Sequence, residues 1–316
     1  VICVTGATGF LGSELVRLLC ERGEEVRALG RDEQALRRLA ELGAETARTS
    51  IEDEELLRKA LDGCGLVYHV AGIVAHEKRD RPRLMATNAE GARRLLELAD
   101  PAARVVHVAS IATLGPGSGP DDLIDEEHVP PPIASTLPYS VSKIAGERHA
   151  FEAARAGRNV VIVNPAFIIG PGDERSGTTW PIREYVRGRL PFVVEGGLCL
   201  VDVRDVASGL VAAAERGIAG ERYVLGNREG NLRHEDFFAK VGEIAGRKRW
   251  QLILPAGLAT AAAAFIPGPV SPGYARVAHC WWYCDPGKAE RELGFTPRAT
   301  GETLVDTVAY VQASLR

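Results

Sequence analysis

The stretch from Val1 to Gly12, VICVTGATGFLG, constrains this chain more than any other. Val1, Ile2, Cys3 and Val4 read as a buried strand, and Leu11, Leu15, Leu18 and Leu19 recur at helical period. Between them Gly6, Gly9 and Gly12 have the spacing of a strand-to-helix turn that meets a dinucleotide pyrophosphate: Gly6 for the sharp turn, Gly9 for close approach of backbone to phosphate, Gly12 for packing helix on strand. The first helical turn offers free N–H groups and a positive dipole end to an anion. Any tight turn of this kind wants glycine, so the triplet gains its meaning from the strand before it and the helix after it. Thr8, Phe10 and Leu11 are expected to join the glycines around the cofactor.

A chain of 316 residues suits one α/β unit with a smaller lobe. Its formal charge of −4, with acids and bases evenly mixed, gives no footprint for nucleic acid. The six cysteines (Cys3, Cys20, Cys64, Cys199, Cys280, Cys284) are scattered and read as reduced packing residues of a cytoplasmic protein. Cys280 and Cys284, beside His279, lack the second ligand pair of a zinc site, so no metal is expected. The chain opens directly on a strand, without an initiator Met; a few leading residues are expected to be missing, and no signal peptide is expected. The apolar run from Leu252 to Ile266 is shorter than the roughly 20 residues that span a bilayer. It reads as a helix buried in the second lobe.

In chain order, Glu25 to Leu29 predicts a second strand and Asp32 to Leu42 a second helix, with Gly43 at its C-cap. An NAD site usually carries an acid at the end of that strand, for the ribose 2′-hydroxyl. Here stand Gly30, which leaves space, and Arg31, a bidentate cation for a 2′-phosphate, so NADP(H) is the expected cofactor; a merely solvated Arg31 is the alternative. Leu66 to Val70 predicts another strand, running into Ala71 and Gly72 where the cofactor would lie close to backbone. Arg81 to Ala99 has the period of one long helix containing Asn88. Arg104 to Ala109 predicts a strand that delivers Ser110 at its carboxyl end, the ligand side of a parallel sheet.

Pro138-Tyr139-Ser140-Val141-Ser142-Lys143 opens a helix with Tyr139 and Lys143 on one face. An ammonium beside a phenol lowers the phenol pKa, which suits a proton carrier near neutral pH.

These segments together, with TNAEGARRLLELA around Asn88, NPAFIIGPG at 164–172, LVDVRDVASG at 200–209, ERYVLG at 221–226 and KAERELGFTPR at 288–298, resemble the extended short-chain dehydrogenase/reductases. Within them the chain looks most like the bacterial branch similar to dihydroflavonol reductases, 3β-hydroxysteroid dehydrogenases and hopanoid-associated sugar epimerases. The resemblance implies that Tyr139 is the acid/base, that Lys143 holds the nicotinamide ribose and tunes Tyr139, that Ser110 binds the substrate oxygen, and that Asn88 is structural or part of a proton relay. It also implies a homodimer through the helices near 81–99 and 139–155. One departure is Ser50, in Thr49-Ser50-Ile51-Glu52-Asp53, where the family often places an Asp near the adenine.

Asn159 to Asn164 predicts a strand ending at Pro165, the last expected cofactor neighbour. The expected fold is α/β: a Rossmann doubly wound parallel sheet from residues 1–165 and about 202–226, with a smaller, mostly C-terminal substrate lobe from about 166–201 and 227–316. In the lobe, 170–177 is glycine- and proline-rich, 179–188 is helix-like, and Asp202 to Arg216 reads as a helix returning to the core. Trp250, Phe265, Tyr274, Trp281, Trp282 and Tyr283 are candidate pocket walls, most of them expected to be plain core.

The expected activity is NADP(H)-dependent interconversion of a ketone or aldehyde and its alcohol, acting on a small molecule without nucleic acid or membrane span. A nucleotide-sugar epimerase or dehydratase with retained cofactor is the nearest alternative; a non-catalytic dinucleotide sensor is the alternative of another class. The segment Gly196-Gly197-Leu198-Cys199-Leu200-Val201 is apolar where nucleotide-sugar enzymes of the family usually place an arginine, which points to a neutral or weakly charged substrate. Arg175, Arg183, Arg187 and Arg276 are the cations that could reach the same place from other loops.

Overall fold

In the computed structural model of the chain, which describes residues 1–174, 177–190, 192–249, 251–265 and 270–315, the opening glycines turn strand β1 (Ile2–Thr5) into helix α1 (Phe10–Glu21). Gly6 takes φ +68°, and a Cβ on Gly12 would lie 2.2 Å from the Gly6 carbonyl oxygen, so helix and strand meet backbone to backbone. The chain continues through β2 (Val26–Gly30), α2 (Glu33–Glu41), β3 (Glu45–Arg48), α3 (Glu54–Leu61) and β4 (Leu66–His69). Asp32 and Asp53 cap α2 and α3, accepting from the amides of Ala35 and Leu56.

The single helix expected from Arg81 to Ala99 is interrupted. It consists of α4 (Arg81–Leu84), a π turn over Met85–Glu90, and α5 (Gly91–Leu98). The wide turn carries Asn88 inward, where its amide accepts from Ile73 N and donates to Ile73 O and to Ser142 Oγ. Those three bonds, made in a nearly water-free place, are what regular α-helical geometry would forgo.

The rest of the chain forms β5 (Arg104–Val108), α6 (Pro138–Arg155), β6 (Val160–Pro165), β7 (Phe167–Ile169), α7 (Trp180–Arg187), β8 (Phe192–Val194), β9 (Gly197–Asp202), α8 (Val203–Arg216), β10 (Arg222–Leu225), β11 (Asn231–Arg233), α9 (His234–Ile244), β12 (Leu252–Leu254), α10 (Ala256–Phe265), α11 (Pro272–Ala278), β13 (Trp281–Trp282) and α12 (Thr300–Ala313).

Seven strands make one parallel sheet in the order β10-β6-β5-β4-β1-β2-β3. Both faces are covered, as the near-continuous apolar runs of β1 and β6 require. Val4, Leu15, Val106, Val163 and Leu210 fill one side; Cys3, Leu57, Val105, Leu95 and Ile162 fill the other. The winding reverses between β1 and β4, which opens a crevice beyond their carboxyl ends. This is the Rossmann doubly wound architecture expected from the sequence.

A second body surrounds β9, which pairs with β11, β13 and β7, beside the separate pair β8–β12. Its core holds Tyr185, Phe237, Phe238, Leu304 and Val308. Asp202, at the end of β9, caps α8 and binds the Arg204 guanidinium at 2.7 Å, with Arg298 at 3.6 Å.

The run from Leu252 is corrected: it is a strand followed by a helix rather than one buried helix. It is broken at Pro255, and among its exposed side chains are Leu252 and Ile253 of β12 and Leu258 of α10. Ile266 lies outside the described residues, as do Arg175 and Trp250 and the side chain of Phe265. No described helix is long and apolar enough to cross a membrane.

Candidate active site

At the switch point the backbone of the glycine turn presses against the end of β4. A Cβ on Gly6 would stand 2.7 Å from the Ala71 Cα, and one on Gly72 would stand 3.2 Å from Asn88 Oδ1 and 3.8 Å from Lys143 Nζ. Gly9 heads α1 without a side-chain cap, leaving the first helical N–H groups for an anion. A bare, glycine-lined cradle at a helix N-terminus fits a dinucleotide pyrophosphate, with Phe10 and Leu11 in the same first turn.

The room expected at Gly30 is already taken. A Cβ there would meet the Thr8 side chain at 2.4 Å, so Gly30 is needed to seat Thr8 beside the glycine turn rather than to leave space for a phosphate. Arg31, by contrast, is exposed at the lip of the crevice. Its guanidinium has no ion pair or hydrogen bond among the described residues, whereas Arg38 nearby binds Glu174 at 2.9 Å.

Ser110 stands just beyond β5 in extended backbone, its Oγ accepting from Ala112 N at 3.2 Å. Tyr139 lies in the first turn of α6. Burial raises the Tyr139 pKa, and the Ser110 hydroxyl works against the rise. Lys143, one turn on, is buried and donates from Nζ to the Val108 carbonyl at 2.7 Å. Burial brings its ammonium down to about 8, opposed by the Glu147 carboxylate. The sequence predicts that Lys143 depresses the phenol. In the structure the ammonium is turned to the β5 backbone, and burial and Ser110 govern Tyr139 instead. Asn88 ties the loop after β4 to α6 through Ile73 and Ser142, and Pro165 is buried at the end of β6.

Sequence reasoning missed the support beneath these residues. Glu147, a further turn along α6 and 5% exposed, accepts from Asn164 Nδ2 at 2.6 Å and from Thr113 Oγ1 at 3.0 Å, while Thr113 Oγ1 also lies 3.0 Å from the Ser110 carbonyl. Arg222 reaches the same carboxylate at 3.5 Å. The network fixes Ser110 against β6 and α6. The spacing of Tyr139, Lys143 and Glu147 at four-residue steps was the available signal, and it continues the reactive face of the helix.

Toward the lobe, a small cleft of about 250 Å³ joins Tyr139 to Ala112, Leu137, Val277, Trp282 and His76. Beyond it a larger one, about 440 Å³, is lined by Phe167, Trp180, Leu198, Phe237 and Tyr274 among other apolar side chains. Its His234 turns Nδ1 to the Val194 carbonyl at 3.0 Å. Of the aromatic candidates, Tyr274 and Trp282 face these clefts, while Trp281 packs edge-on against Tyr283 and beneath Arg233. Cys280 and Cys284 serve separate contacts, with the Arg276 carbonyl and the Cys199 thiol. Arg183 lies 3.5 Å from Ser314, and Arg187 pairs with Glu184. Arg276 makes no ion pair among the described residues.

A doubly wound parallel sheet, a glycine-turned crevice and a serine, tyrosine and lysine gathered at its mouth define the extended short-chain dehydrogenase/reductase class. The model of the NAD dependent epimerase/dehydratase family matches residues 2–226, and the chain belongs to that family of enzymes. It is similar to sterol demethylase protein B of Methylococcus capsulatus, 31% identical with 97% of each chain covered. It is also similar to the 4-hydroxy-2-methyl-3-oxo-4-farnesyl-3,4-dihydroquinoline-1-oxide ketoreductase of Stigmatella aurantiaca, 30% identical over 96% of this chain and 94% of that one. Among solved structures, a nucleoside-diphosphate-sugar epimerase from Pseudomonas aeruginosa superposes with a TM-score of 0.82 at 26% identity, covering 99% of this chain and 97% of the other.

Proposed function

We propose that the protein is an NADP(H)-dependent oxidoreductase that interconverts a neutral ketone or aldehyde and its alcohol. The bound nicotinamide supplies or accepts the hydride. Gly6, Thr8, Gly9, Phe10, Leu11 and Gly12 hold the pyrophosphate end, Arg31 the 2′-phosphate, and Ala71, Gly72 and Pro165 flank the nicotinamide end. Ser110 steadies the carbonyl oxygen, Tyr139 gives it the proton, and Lys143 positions the ribose. Asn88 holds the loop and helix that frame the site. A homodimer through α5 and α6 and a reducing cytoplasm, in keeping with six free thiols, complete the reading.

The observation that carries it is the wall of β9. Gly197 to Asp202 is buried throughout, with Leu198 facing the large cleft, and a sugar diphosphate there would lose hydration without gaining a cation. A named ketoreductase among the relatives supports the same activity. The structural likeness to a sugar epimerase and the unpaired Arg276 favour the rival. Calorimetry on the NADP-loaded protein separates them: UDP and UDP-glucose should bind weakly or not at all, while neutral ketones consume NADPH. Low-micromolar binding of either nucleotide would replace this reading with the epimerase.

Arg31→Asp should invert cofactor preference, from NADPH toward NADH, because a carboxylate repels the 2′-phosphate and accepts from a 2′-hydroxyl. Fluorescence titration with both cofactors checks it; tighter NADH binding by the unaltered protein would remove Arg31 from the site.

The pH profile should show an alkaline limb near 8. Burial lowers Lys143 to that value, so its ammonium is present below pH 8 and lost as pH rises through it. Glu147→Gln removes a charge that favours the ammonium and should move the limb to lower pH. A limb in the same place for both proteins would show that Lys143 does not set it.

A further inference from the structure

The loop after β4 is held at both ends. Asn88 fixes Ile73, and the Glu77 carboxylate accepts from Gly273 N at 2.9 Å, at the start of α11. Between those anchors His76 packs its backbone so closely on α11 that a Cβ on Gly273 would lie 2.5 Å from the His76 carbonyl oxygen. Its ring meets Tyr274 edge-on, with centroids 5.8 Å apart, and lines the same small cleft as Tyr139. The other walls of that cleft are the apolar Ala112, Leu137, Pro138, Val277 and Trp282, with Ser140 as the further polar residue.

His76 Nδ1 is buried and has no hydrogen-bond partner among the described residues. Burial lowers the imidazole pKa, against the pull of Glu77 and Asp80, so the ring is neutral near pH 7. A neutral imidazole held from two sides, with a sheltered, unpartnered nitrogen and a place in the cleft that the phenol also lines, is incomplete as it stands. A group that enters the cleft with the reacting carbonyl would complete it. A substrate without such a group leaves the nitrogen unpaired, and a site built to pair a polar group discriminates against analogues that lack it.

We propose that His76 is a specificity-determining residue that hydrogen-bonds through Nδ1 to a hydroxyl carried by the substrate next to its reacting carbonyl. The preferred substrates are then hydroxy-ketones or hydroxy-aldehydes with an otherwise apolar body. A hydroxyl both donates and accepts, so it pairs with either tautomer of the ring. The inference rests on the carbonyl-reductase reading of the site.

The test compares 2-hydroxyacetophenone with acetophenone, matched except for the one hydroxyl, using the full chain and NADPH. The expected ratio of kcat/KM is about tenfold or more in favour of the hydroxy compound, equivalent to about 1.4 kcal/mol. His76→Phe should bring that ratio close to one, and His76→Asn, whose amide lies near the Nδ1 position, should retain much of it. A ratio near one in the unaltered protein, or one unmoved by His76→Phe, overturns the proposal. If neither ketone is reduced, the reductase reading fails, and calorimetry of the two ketones on the NADP-loaded protein decides His76 separately. There a preference for the hydroxy compound that His76→Phe abolishes upholds the role, and equal or absent binding overturns it.

Discussion

Tyr139→Phe is expected to lower turnover by about 10²- to 10⁴-fold, the usual contribution of a positioned acid or base. The ring stays in place between α6 and the small cleft, and only the hydroxyl that meets Ser110 is lost. The Ser110–Glu147–Asn164 support does not pass through that hydroxyl, so folding and cofactor binding should be nearly unchanged. Steady-state NADPH oxidation, paired with thermal unfolding and cofactor titration, reads all three quantities. Retention of a third or more of the activity would assign the proton to another group.

Gly12→Val is expected to remove measurable dinucleotide binding and to destabilise the fold by roughly 1–3 kcal/mol or more, the range for forcing atoms into a packed place. The first added carbon would stand 2.2 Å from the Gly6 carbonyl oxygen and 2.9 Å from the Ala71-facing turn's next residue, at the Ala7 Cα. All these neighbours are backbone, so relief requires α1 to shift off β1 and to carry its N–H groups with it. Gly301→Ala is the control. Nothing lies within 4 Å of a Cβ there, and in helix α12 alanine is the better helix former. Nucleotide binding that survives Gly12→Val would mean that α1 does not present the phosphate site.

The features that the sequence revealed are those in which local spacing carries the geometry. Gly6, Gly9 and Gly12 lie within one turn and its helix, and Tyr139 and Lys143 within one helical face, so neighbours along the chain are neighbours in space. The apolar run of Val1 to Val4 announced the buried strand β1 for the same reason. The Glu147 network was hidden because its partners are distant in sequence: Asn164 is 17 residues from Glu147 and 51 from Thr113. Gly30 misled because a glycine shows only that something is close, and that something was the side chain of Thr8 from another turn of chain. Leu252 to Leu258 misled because hydrophobicity alone does not say which side chains face the core, and Pro255 divides the run into a strand and a helix that leave Leu252, Ile253 and Leu258 exposed. The direction of the Lys143 ammonium depends on the Val108 carbonyl, which belongs to a different element.

The π turn at Met85–Glu90 is, in terms of the alphabet, one inserted letter. An α-helix advances about 100° per residue, so one residue more or fewer swings every side chain that follows through that angle. The wide turn takes up that extra residue and keeps the apolar stripe in phase on either side of it, so a chain shorter by one residue here would run as a regular helix, without the wide turn that carries Asn88 to Ile73 and Ser142. Relatives with a regular helix at this place should therefore align to this chain only across a one-residue gap, and a substitution count that ignores the gap would compare residues about 100° apart around the helix.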